Sequence, residues 1–143
     1  MRVPKGFYAV MPSPIDDSAW GSNSFSYPGS IVRMVPGDNP PLTTLSELYE
    51  PPLPGFGVRG ADIDGNGVIW VSLGSGHLGE FDRRKCKGSL NGPTATGQHC
   101  PEGWTFHDLP GPAFKELPGF SVESSYYTWV DQHNTLGLGL NVP

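Results

Sequence analysis

The run DIDGNG at residues 62–67 sets three oxygen donors, Asp62, Asp64 and Asn66, at alternate positions ahead of Gly67. Those residues match positions 1, 3, 5 and 6 of a calcium loop, where the glycine permits the sharp turn that lets the ligands converge. Position 12 of such a loop supplies a bidentate Glu, and here it is Leu73. Without those two oxygens, and with no helices flanking the run, the same residues read as a tight turn between two strands. A weak Ca or Mg site at Asp62, Asp64 and Asn66 is the metal reading that survives. No other cofactor is expected.

A second group follows at His77, Glu80 and Asp82. In a strand, alternate side chains share a face, so Glu80 and Asp82 point together and His77 points the other way. These are weak candidates for catalysis. His107-Asp108 and Asp131-Gln-His133 are further His/Asp pairs, but neither stands beside a G-x-S-x-G elbow or a cysteine placed as a nucleophile. Arg83, Arg84, Lys85 and Lys87 form the one dense basic cluster. Arg83 and Arg84 are its candidates for holding an anion, against the alternative of a solvated loop. The adjacent Tyr126 and Tyr127 cannot both face a core, so one of them offers a ring to a ligand.

The elements that carry these residues are short. Twenty glycines and 16 prolines in 143 residues punctuate runs rich in Val, Ile, Trp, Tyr and Phe. This pattern predicts an all-β chain with many tight turns. Seven Phe, five Tyr and four Trp supply the buried area that disordered chains lack. The best helical stretch, residues 41–49, is hemmed in by prolines. No run approaches 18 apolar residues, so no membrane span is expected. The N-terminal stretch has neither an apolar h-region nor a cleavage site, so no signal peptide is read there. A net charge of −5 without a basic face argues against nucleic acid.

Cys86 and Cys100 bracket a Gly/Ser/Asn/Pro/Thr run with no strand or helix period. A disulfide clipping this loop is the first reading; two free thiols and a metal role are the others. The spacing matches no zinc pattern. A bridge would place the protein in an oxidising compartment.

The chain also repeats itself. The order of apolar residue, aspartate, polar turn and strand occurs at Ile63-Asp64 through Trp70, at Ile15-Asp16 through Trp20, and more loosely at Val130-Asp131 through Leu136. Further strands follow at 29–34 and 76–81, then at 48–52 and 104–110, each of the last pair running into prolines. Four strands per unit in the same order predicts propeller blades. The units run over 6–52, over 53–110 with a loop inserted at 84–102, and over 111–143 as a linker and the start of a third blade. Trp20 and Trp70 recur at one position in the repeat, which predicts packing between neighbouring sheets.

Residues 62–82, DIDGNGVIWVSLGSGHLGEFD, resemble blades of the streptogramin lyase and NHL-like β-propellers. That resemblance implies four-stranded antiparallel blade units, about two here plus the start of a third. It implies a fragment of a larger secreted bacterial protein, with further blades from the same or other chains as partners. The function expected is that of a secreted or periplasmic segment binding a ligand or partner protein. A metal-assisted lyase or hydrolase, its site assembled from several blades, is the alternative. A purely structural blade module is a third. An incomplete propeller leaves sheet faces unburied, so a longer chain or an oligomer is expected.

Overall fold

Runs of β-branched and aromatic residues separated by prolines and glycines become strands that each stop at the next turn residue. The computed structural model describes residues 6–143; the first five, part of the stretch read for a leader, lie outside it. Strands β1 (Ala9–Pro12), β2 (Ala19–Asn23), β3 (Ser30–Val35) and β4 (Leu45–Tyr49) form one antiparallel sheet in chain order. Strands β5 (Val58–Ile63), β6 (Ile69–Leu73), β7 (His77–Phe81) and β8 (Trp104–Asp108) form a second with the same order. A hairpin of β9 (Ala113–Phe114) and β10 (Leu117–Ser121) follows. The fold is all-β, in antiparallel four-stranded sheets.

Of the candidate helix at 41–49, only a single turn forms, α1 (Pro40–Thr43). The remainder is β4, whose Glu47 and Tyr49 alternate into the interior and which pairs with β3 from Leu45 to Tyr49. Burying those two side chains against the neighbouring sheet outweighs the weak helical pattern. The strand also begins earlier than residue 48 and ends before Pro51 and Pro52, which have no N–H for the ladder.

The core lies between the two sheets. Met11, Trp20, Ile31 and Tyr49 of the first meet Ile69, Val71, Leu73 and Phe81 of the second, all buried. Tyr49 and Phe81 have ring centroids 4.6 Å apart, and Trp20 stacks on Tyr49 at 6.1 Å. The two sheets share a register: Trp20 stands opposite Arg33 on its sheet as Trp70 stands opposite Glu80 on the other. Trp20 is nevertheless buried and Trp70 only half-buried, stacked on His107 at 5.7 Å. The reason is order in the stack. Trp20 faces the second sheet, whereas Trp70, on the side opposite Ile69 and Phe81, faces away from the first sheet.

The C-terminal residues lie on that second face. The Gly60 N–H donates to the Tyr126 carbonyl at 3.1 Å, and the Val130 N–H donates to the Asp62 carboxylate at 2.9 Å. The Gln132 amide donates to the Ile63 carbonyl at 2.6 Å, and the buried Ser72 hydroxyl bonds Thr128 at 2.8 Å. Asp131 pairs back with Val142.

The inserted loop leaves β7 through a 3-10 turn, Arg83–Lys85, and returns through a second, Pro101–Gly103. Cys86 and Cys100 are joined by a disulfide, and Cys100 is buried in the core. The loop lies against the end of β4, where the Glu50 N–H donates to the Gly97 carbonyl at 2.7 Å and His99 rests on Tyr49.

Candidate functional site

The three aspartates of the repeat do the same job. Asp16 accepts the N–H of Ser18 at 3.0 Å, Asp64 that of Asn66 at 2.8 Å, and Asp131 that of His133 at 3.3 Å. Each bond reaches two residues on, the Asx turn that a short carboxylate favours. Asp64 and Asp131 reach the fourth residue as well, Val68 and Thr135, both at 2.9 Å. Gly67 closes the middle hairpin at φ +82, a conformation that favours glycine, and a Cβ there would strike Ile15 in the turn between β1 and β2. The Asp131 carboxyl is held below the usual range by the N–H groups of Leu136 and Thr135. Burial works against ionisation of Asp16, but its bonds from Ser18 and Arg33 outweigh this and hold its carboxyl low.

Asp62 and Asp64 are therefore engaged. Asp62 accepts from the N–H groups of Ile63 and Val130, and Asp64 from two N–H groups and the Trp70 indole. Asn66 is exposed at the turn. Among the described residues, no group of three or more His, Cys, Asp or Glu is placed to hold a metal ion.

The residues after the Trp70 strand separate as their alternation requires. His77 is buried, its Nδ1 3.0 Å from the Ser75 hydroxyl and its Nε2 3.3 Å from Asp108. Ser75 is itself buried and accepts the Phe56 N–H, so this Ser-His-Asp series presents no accessible nucleophile. Glu80, on the opposite face, lies 3.1 Å from His107 and 3.3 Å from Lys85. Asp82 caps the 3-10 turn and takes Arg84 in two bonds at 2.8 and 3.0 Å, which hold its carboxyl low.

Arg83 turns inward instead. Its Nε and Nη2 donate to Glu47 at 2.7 and 2.8 Å, so the basic cluster contributes a clamp between the sheets. Burial works to raise the Glu47 carboxyl, but the bonds from Arg83 and the Tyr49 hydroxyl outweigh it and leave it lowered. Burial and the Glu47 charge push the Tyr49 phenol up.

Tyr126 and Tyr127 come together with two residues to which sequence reasoning gave no role. Tyr8 meets Tyr126 edge-on at 5.7 Å and Tyr127 at 6.3 Å. The Arg59 guanidinium lies over the Tyr126 ring at 5.7 Å, the range of a cation–π contact. Tyr8, Arg59 and Tyr126 each stand five residues ahead of a residue whose N–H closes a turn or bridge, Ser13, Asp64 and Asp131. They thus share one offset from those residues, Arg59 within β5, Tyr8 just ahead of β1 and Tyr126 in the C-terminal segment. The pairing of β5 with β6 shifts between Val58 and Ala61, a bulge that spans Arg59 and Gly60. Bulges of this kind re-aim a side chain. A Cβ on Gly60 would land in the Tyr127 ring, so only glycine there lets this tyrosine close onto β5. Arg59 and Tyr126 each stand five residues ahead of a turn aspartate, Asp64 and Asp131, whereas Tyr8 stands eight ahead of Asp16, so the sequence signalled the first two alone.

A groove of about 360 Å³ opens elsewhere, where the β2–β3 and β4–β5 connections meet the disulfide loop. Tyr27, Pro28, Pro51, Pro52 and Leu53 wall it, with Gln98 contributed by the loop. The sequence showed these prolines only as strand terminators.

No family model, curated protein or solved structure matches the chain. What the fold and the site define is a class: an all-β chain of two like antiparallel sheets, clipped by a disulfide, with a cluster of exposed tyrosines around Arg59 of β5. No helix of the described residues is long and apolar enough to cross a membrane.

Proposed function

We propose that this chain is a β-propeller segment of a non-cytoplasmic protein and that it binds a ligand at the mouth formed by its first strands. The observation that carries the reading is the meeting of Tyr8, Arg59 and Tyr126, each five residues ahead of a residue whose N–H closes a turn or bridge. In a propeller the first strand of each blade lines the central channel, so side chains from equivalent positions converge there. The two sheets with shared order and register are the blades. Residues 126–131, bonded along β5, begin a third, and the half-covered Trp70 face is where its remainder packs. The disulfide supports an oxidising compartment, outside the cytoplasm.

Binding is favoured over the lyase-like chemistry because His77 is enclosed and Glu80, Asp82, Asp62 and Asp64 are each held by partners within the chain. The experiment is a screen of small cyclic ligands by NMR, followed by Tyr126→Ala. Ligands that shift the ring resonances of Tyr8 and Tyr126, and lose affinity in the variant, support the mouth. A chain whose ligands all shift the Tyr27 and Leu53 groove instead would refute it.

A further inference from the structure

We infer that the Tyr8/Arg59/Tyr126 mouth takes a carboxylate-bearing ring compound, an inference that rests on the mouth being the binding site. The polar groups there are donors. Arg59 donates from Nη1 to the Ser124 hydroxyl at 3.2 Å and to the Ser125 carbonyl at 3.4 Å. Among the described residues it has no carboxylate within ion-pair distance, whereas Arg33, Arg83 and Arg84 each have at least one. Its other N–H groups form the planar fork that matches a carboxylate.

The phenols reinforce that preference. A hydrogen bond with the neighbouring Tyr126, followed by slight desolvation, pushes the Tyr8 phenol up, so the ring carries no negative charge that would repel an anion. The rings of Tyr8, Tyr126 and Tyr127 are exposed, and they add apolar faces on which a flat or pyranose ring can rest. A guanidinium, phenolic hydroxyls and aromatic faces select an anion attached to a ring. The Arg59 guanidinium already occupies the Tyr126 face, and its positive charge disfavours a second cation there.

An aromatic acid and a uronic acid share this chemistry. The test therefore titrates benzoate and glucuronate against their neutral counterparts, benzyl alcohol and glucose, reading the Arg59 Nε–H and the tyrosine ring resonances. The expected result is that at least one acid shifts both sets, that its neutral counterpart binds about tenfold more weakly, and that added salt weakens the acid alone. Arg59→Gln should cost the acid about tenfold and leave the neutral compound unchanged. The remaining amide resonances report whether that variant folds. Which acid binds identifies the source of the ring. Neutral compounds that bind the mouth as tightly as the acids, or an acid indifferent to Arg59→Gln, would overturn this inference and leave the mouth standing. If no probe shifts these resonances while other ring ligands do, the inference again fails and the mouth does not. If ring ligands of every class shift only other residues, both are overturned.

Discussion

Glu47 of β4 takes the Nε–H and an Nη2–H of Arg83 at 2.7 and 2.8 Å, a two-bond pair that joins the first sheet to the loop leaving the second. The Glu47 side chain is 1% exposed and that of Arg83 31%, so the acid is the partner that cannot turn to water. Arg33, at 3.5 Å, and the Tyr49 hydroxyl, at 2.8 Å, complete its surroundings.

Removing the cation should accordingly cost more than removing an exposed pair. Arg83→Met leaves Glu47 buried with only Arg33 and Tyr49, and the expected loss is about 3 kcal/mol, the low end for a broken buried pair. Adding Glu47→Leu removes the stranded charge and should restore about half of that. Urea unfolding of the two variants measures both. A loss below about 1 kcal/mol for Arg83→Met would mean the pair behaves as an exposed one.

The same cluster sets a two-sided pH dependence. Glu47, Asp16 and Asp82 have lowered folded-state values, so their contribution is present above the ordinary carboxylate range, about 4, and is lost as pH falls through the folded values. Tyr49 is raised, so its contribution is full below the ordinary phenol value, about 10, and declines as pH rises towards its folded value. Unfolding midpoints should be level between about pH 5 and pH 9 and fall on both sides. Tyr49→Phe should flatten the alkaline arm, and Glu47→Gln part of the acid arm. An alkaline arm unchanged in Tyr49→Phe would assign it to other groups.

How much of this was legible depends on the range of the interaction. Strand order and the turn aspartates follow from spacing within some ten residues, and the bonds of Asp16, Asp64 and Asp131 to the second residue on are local. The pairing of Cys86 with Cys100 was one of three readings, and only geometry selects it. Arg83 stands in a run of cations, and nothing in that run indicates Glu47, 36 residues earlier. Trp20 and Trp70 share a repeat position, but which is covered depends on what is stacked against each sheet. The tyrosine cluster was half visible: Tyr126 and Tyr127 stand out as a pair, whereas Tyr8 and Arg59 join them only through tertiary contacts.

Opening the disulfide should loosen one edge while the sheets persist. Closing a loop of about 15 residues is worth roughly 3 kcal/mol by the chain-entropy estimate. Locally, the loop fixes the Glu50 N–H on Gly97 and places His99 against Tyr49 at 5.1 Å. Hydrogen exchange with and without reductant should show the Glu50 amide losing protection while the Val71 amide, between β5 and β7, keeps it. Equal protection of Glu50 in both forms would show that the loop holds its place without the bridge.

Asp62 and Asp64 offer the sharpest separation of turn from metal site. Asp64 holds its own hairpin through the N–H groups of Asn66 and Val68 and touches the Trp70 indole, so Asp64→Ala should cost about 2 kcal/mol. Asp62 ties down the C-terminal segment through the Val130 N–H, so Asp62→Ala should cost about 1 kcal/mol and release that segment. Exchange should then quicken at Val130 and Thr128 in the Asp62 variant, and at Asn66 and Val68 in the Asp64 variant. Because the two carboxylates serve different elements, calcium should raise the unfolding midpoint of neither the parent nor either variant. A calcium-dependent rise in the parent that both substitutions abolish would instead make the pair ligands of one ion.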